Sequence, residues 1–188
     1  MLALAFFGAG TAQAAPVDDS GSTVAAADEF GLFTPTEHTV VMRGGVTAET
    51  SGADDADGMV QPMADWAKVT GATYRGEQCG TNVIQKTSGH GKTTLTMSVQ
   101  KSVATKWSAT ASISAGAVSA GMGWDVTKTY TVTDQTAFSV PSGKFGTIEA
   151  YPLYDVYSFN ETSKVDGGKL GTGRALKPVG VCFNQWNE

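Results

Sequence analysis

The chain has 188 residues, with 18 Asp plus Glu against 13 Lys plus Arg, 23 Gly, 2 Cys, 2 His and a formal charge of −5. That is one domain's length with room for an appendage, and the acidic total argues against a protein built to neutralise nucleic-acid phosphates. His38 and His90 stand alone, so a His-rich metal centre or a Ser-His-Asp relay has little material. The composition leans away from an enzyme and calls for no cofactor.

In chain order, Met1 to Ala15 is apolar but shorter than the ~20 residues a spanning helix needs. Ala12-Gln13-Ala14 offers small residues to a signal peptidase, which predicts a secretory signal over 1–14 and a secreted protein. No Lys or Arg precedes the apolar run, so a start further upstream, or no signal, stays open. No other segment reads as a transmembrane helix.

Residues 1 to 65 carry net −9, with Arg43 their single base, and the rest of the chain carries net +4. From 15 to 65 the composition is acidic and poor in large apolar residues, which predicts a disordered acidic arm. Two apolar islands interrupt it. Phe30, Leu32 and Phe33 form one, Val40 and Val41 the centre of the other, and both suit docking on a partner. A plain linker or propeptide is the alternative. Arg43, followed by Gly44-Gly45, is the obvious place in this arm for a trypsin-like protease to cut or bind.

Residues 66–188 read as a disulfide-closed β-domain. Cys79 and Cys182 bracket it, and in an oxidising compartment a bond between them closes a loop of roughly one hundred residues, for which chain entropy gives ~4.7 kcal/mol. Two buried free thiols are the alternative. From Leu95 the odd positions are mostly apolar through Trp107, Ala109, Ala111 and Ile113. After Ala115-Gly116-Ala117 the apolar residues move to even positions, with Val118, Ala120, Met122 and Trp124. This predicts an amphipathic hairpin turning at 114–117, with Ile113 opposite Val118, Ala111 opposite Ala120, Ala109 opposite Met122 and Trp107 opposite Trp124. A helix in this stretch, or Trp107 far from Trp124, would remove the footing of that reading and of any function built on it. Lys101 and Lys128 interrupt the face, which predicts a bulge or the edge of the buried surface.

Ala137–Val140, Phe145–Tyr151, Leu153–Phe159 and Pro178–Phe183 read as further strands, with a turn at Pro141-Ser142-Gly143-Lys144. The fold class expected is all-β, a twisted antiparallel sheet or sandwich of about six or seven strands. Enzymatic motifs are poor. Gly91-Lys92-Thr93-Thr94 imitates a phosphate loop, but Lys86 stands where the loop needs Gly. Asp125, Glu149 and Asp155 follow no spacing rule for a hydrolytic pair.

The Ser/Thr-rich strands around Lys92 to Thr133, with Phe138-Ser139-Val140-Pro141-Ser142-Gly143-Lys144 and a return strand, resemble the membrane-inserting module of aerolysin-type β-pore-forming toxins. The resemblance covers about a third of the chain and implies a hairpin that joins a transmembrane barrel after oligomerisation at a target-cell membrane. The overall layout, ending in Lys177-Pro178-Val179-Gly180-Val181-Cys182-Phe183, also resembles small exported actinobacterial proteins, including adaptor subunits of secreted toxin particles. That resemblance implies other secreted proteins as partners, held through the arm. Both imply a non-enzymatic component of a bacterial toxin or antagonism system.

Overall fold

The structure, a computed structural model, describes residues 29–49 and 66–188. The described residues form ten strands and one helix: β1 (Leu32–Phe33), β2 (Thr39–Arg43), β3 (Val46–Ala48), β4 (Ala67–Gly80), β5 (Gln85–His90), β6 (Thr93–Ala104), β7 (Lys106–Ala109), α1 (Ala115–Met122), β8 (Thr129–Val140), β9 (Phe145–Ser163) and β10 (Lys169–Asn187). The fold is all-β, built from twisted antiparallel sheets.

Its spine is the β9–β10 ribbon, paired from Gly146–Asn187 to Thr162–Lys169. At ~3.3 Å per residue each of these strands runs about 60 Å, several times the usual strand length. Two strands share each flank of the ribbon. β4 and β5 pair with opposite halves of β9, while β2 and β7 pair with opposite halves of β10. The stretches expected as separate strands at 145–151 and 153–159 are one continuous strand, since Pro152 sits within the ladder opposite Val181. The expected turn at 141–144 is present, with Lys144 N–H donating to Pro141 O and Gly143 in the left-handed region.

The second sheet has the order β3-β8-β6. β6 and β8 pair from Thr93–Val140 to Ala104–Thr129 without a register shift. No bulge therefore forms at Lys101, whose side chain is exposed opposite Val132. Met97, Val99, Val103 and Val132 of this sheet pack on Ile148, Tyr154, Val156, Leu176, Val181 and Phe183 of the first, which makes the main core a sandwich. Cys79 and Cys182 are joined across a sequence separation of 103, in a fully buried cluster with Leu153.

Residues 29–49 correct the expectation of a disordered arm. They form a strap: β1 pairs with β4, β2 with β10 and β3 with β8, so one short segment stitches both sheets together. The strap crosses between sheets at Gly44-Gly45. A Cβ on Gly45 would lie 1.8 Å from Thr133 O, and its φ of 59° is left-handed, so only glycine fits. The apolar islands dock on this same domain: Phe30 and Leu32 pack against the main core, and Phe33 and Val41 against the disulfide cluster. Val40 is the more exposed member, at 39%. The predicted signal at 1–14, and the arm at 15–28 and 50–65, lie outside the described residues.

Candidate functional site

The hairpin expected at 106–126 is not formed in this structure. Trp107 and Ala109 lie in β7, which pairs with β10, Trp107 opposite Ala175. Ala111 and Ile113 lie in the loop that follows, Val118, Ala120 and Met122 in α1, and Trp124 just beyond it. The reason is local. Ser114 caps α1 by accepting from Ala117 N–H at 3.1 Å, and Gly123 closes it in the left-handed region, its N–H donating to Ser119 O at 2.9 Å. Start and stop signals with eight residues between them, around an Ala-rich stretch, outweigh the alternation.

The segment from 105 to 128 is therefore an insertion between the two paired strands β6 and β8. Its neck continues their ladder by one step: Thr105 N–H donates to Lys128 O at 3.1 Å, and the Thr105 hydroxyl bridges Val126 O and Lys128 O. Beyond the neck the segment folds back over the first sheet. Val118 and Val126 are buried against Phe159 and Ala175, with Trp107, Ile113, Met122 and Trp124 packed around them. Both tryptophans thus join one cluster without being cross-strand partners. α1 lies close to β4, and a Cβ on Gly121 would fall 2.3 Å from Val69 Cβ.

Two features of this docking were not read from the sequence. Glu161, fully buried in β9, accepts from Thr110 N–H at 2.8 Å and Ala111 N–H at 2.7 Å, where the chain leaves β7. A carboxylate acting on two backbone donors is a strong latch. Parity offered a signal, because Glu161 continues the face of Phe159 and so lands in the interior. Trp124 Nε1 is buried and has no acceptor among the described residues. Lys177 Nζ lies 5.9 Å from the centre of the Trp124 ring, and the Tyr157 ring sits at 6.2 Å, tilted by 53°.

Arg43 is a tether in the structure. Its guanidinium donates twice to buried Asp155, at 2.8 and 2.9 Å, and also contacts Glu77, which together raise it above the ordinary arginine value. Its backbone is held in the β2–β10 ladder, so this base is committed to the fold rather than presented on a loose arm. At the far end of the strap, hydrogen bonds from Ser102 and Thr131 hold the Glu49 carboxyl below the usual range.

Asp125, Glu149 and Asp155 are not brought together as an acid pair: each has its own partner, Thr127, Lys86 and Arg43 respectively. Among the described residues no group of three or more His, Cys, Asp or Glu could hold a metal. Among them, too, no helix is long and apolar enough to cross a membrane, which says nothing about crossing by strands. No family model matches the chain, and no curated protein matches it.

Proposed function

We propose that the protein is a secreted, non-enzymatic component of a bacterial toxin or antagonism system that acts by releasing residues 105–128 into a target-cell membrane, after the manner of aerolysin-type pore formers. The helix α1 removes a preformed hairpin as its basis, so the reading requires residues 105–128 to refold, and one observation carries it. β6 and β8 pair in a single register, Ala104 with Thr129, and the neck at Thr105 and Lys128 follows it. Extending that register through the insertion sets Trp107 opposite Val126, Ala109 opposite Trp124, Ala111 opposite Met122 and Ile113 opposite Ala120. All lie on the face that already carries Met97, Val99, Val103 and Val132. The other face becomes Lys106 with Thr127, Ser108 with Asp125, Thr110 with Gly123, Ser112 with Gly121 and Ser114 with Ser119.

A strand of about ten residues, apolar on one face and polar on the other, is the requirement for crossing a bilayer in a barrel. The register differs by two residues from the one expected for a folded hairpin, and parity is preserved. The alternation is thus unused by the eight-residue helix that now contains its centre, and a local pattern at odds with the resting fold supports a segment with a second state. A lone hairpin would leave both strand edges bare in lipid, so several copies must close a barrel. The adaptor reading has less support, since the described part of its arm is paired with its own domain.

The test uses two exposed positions on opposite faces of the extended hairpin, Ala120 and Ser112. Dye release from liposomes is measured for the full chain, intact and after limited proteolysis. Ala120→Asp, on the apolar face, abolishes leakage with an unchanged melting temperature, while Ser112→Asp retains it. Leakage that survives Ala120→Asp, or its absence from the parent protein under both conditions, overturns the reading.

A further inference from the structure

We infer that the outer half of the first sheet carries a binding site for an acidic carbohydrate, a short sulfated oligosaccharide. Past the edge of the sandwich, β4, β9, β10 and β7 leave one face open to form a cleft of about 570 Å³. That volume suits a small molecule better than a single ion. Four charged side chains line it, and three are cations, Arg75, Lys169 and Arg174, in a chain of net charge −5. The fourth, Glu29, is engaged by Ser108, whose hydroxyl donates to it at 3.1 Å.

The register explains why the cations and hydroxyls converge. Ser158 of β9 lies opposite Thr73 of β4 on one side and Arg174 of β10 on the other, and Arg174 lies opposite Ser108 of β7, so one row crosses four strands. Asn160 and Thr172 form part of the next row. Arg75 is held at this row by its Nε–H, which donates to Ser158 Oγ at 2.6 Å, and its terminal nitrogens make no ion pair among the described residues. Arg174 is placed by stacking over the Phe30 ring at 5.5 Å. The preset Arg75 guanidinium recognises a planar or tetrahedral anion, Lys169 supplies a second cation, and the surrounding hydroxyls and amide match the ring hydroxyls of a sugar.

The lining also separates acidic from neutral sugars. Its one aromatic ring, Phe159, is buried at 2% exposure and offers no stacking platform. Affinity must then come from charge, and the acidic total of the chain opposes long polyanions such as nucleic acid while leaving a short anion admissible. The inference concerns the folded molecule and does not require membrane insertion.

Calorimetric titration of the full chain with a heparin-derived sulfated tetrasaccharide tests it, alongside the chemically desulfated tetrasaccharide and inositol hexakisphosphate. The expected result is binding of the sulfated sugar that weakens with added salt, no binding of the desulfated one, and a loss of about tenfold for each of Arg75→Gln and Lys169→Gln. Both side chains are exposed, so the melting temperatures of these variants stay at the parent value. Equal affinity for the desulfated sugar, binding of the inositol phosphate alone, or unchanged affinity in both variants overturns the inference. Sugar binding by a protein that releases no dye would remove the pore reading and leave this site standing.

Discussion

Alanine at Gly121 and alanine at Gly116 make the same chemical change in the same helix and have opposite expected effects. A Cβ on Gly121 meets Val69 Cβ at 2.3 Å, Cγ1 at 2.7 Å and Cα at 3.3 Å. Carbon atoms settle at ~3.5–4.0 Å, so α1 must move about 1 Å away from β4. Because the obstacle lies at the backbone end of a branched side chain, the cost falls near the upper end of the ~1–3 kcal/mol typical of overpacking. The helix advantage of Ala over Gly returns about 1 kcal/mol. A net loss of about 2 kcal/mol corresponds to roughly thirtyfold more opening of the docked segment. At Gly116 the nearest atom is Ser114 Oγ at 3.7 Å, an ordinary contact. There the substitution keeps the helix advantage, up to about 1 kcal/mol, and opening falls about fivefold.

Amide hydrogen exchange reads both effects, at Val118 N–H, which donates to Ser114 O, and at Gly123 N–H, which donates to Ser119 O. Gly121→Ala accelerates exchange at these amides and Gly116→Ala retards it. In the extended hairpin Gly121 faces Ser112 on the polar side, where a methyl group meets no obstacle, so Gly121→Ala also hastens dye release. Exchange that moves in the same direction for both variants would refute the packing account of how α1 is held.

Three further outcomes follow from the fold. Replacing Cys79 and Cys182 together by Ala lowers stability by about 2–5 kcal/mol, read as a reduced urea midpoint, because the bond closes a loop of roughly one hundred residues; a change below 1 kcal/mol would contradict this. Arg43→Ala leaves Asp155, 5% exposed, without its bidentate partner, at a cost of about 2–4 kcal/mol by urea denaturation, and Arg43→Lys restores part of it; equal stability of all three proteins would show the tether to be idle. Burial pushes the Tyr154 phenol up to about 12, from an ordinary value of 10.0. The unfolded chain therefore releases this proton first, so the contribution of Tyr154 is constant below pH 10 and is lost as pH rises toward 12, by about 2–3 kcal/mol in full. In Tyr154→Phe the alkaline decline is shallower, and an identical alkaline profile would exclude this source.

The β-character and the disulfide were legible because both rest on signals that tertiary context reinforces. Alternation from Leu95 to Val103 matches a strand whose Met97, Val99 and Val103 are buried, and the two cysteines had no other partner to choose. The 106–126 stretch was misread where two local codes overlap. Its period of two is real, but Ser114 and Gly123 encode the ends of a helix, and a residue pattern alone does not say which code the resting molecule obeys. The strap was misread for another reason: Phe30, Leu32, Val41 and Arg43 are too sparse to form a core among themselves and acquire partners only from strands far along the chain. Glu161 was overlooked because an acid in a strand is usually solvated, and only the parity of its neighbours marks it as interior.

The strap also dictates the order of assembly. Thr39 of β2 bonds to Asn184 of β10 across 145 residues, and the whole of β2 pairs with positions 180–184. β2 therefore finds its neighbour only when positions 180–184 have been synthesised, long after β1 can meet β4. Local contacts cannot complete this architecture piecemeal, which makes it a slow, late-closing folder. Until positions 180–184 emerge, β2 has no partner strand and the strap cannot lock the two sheets together.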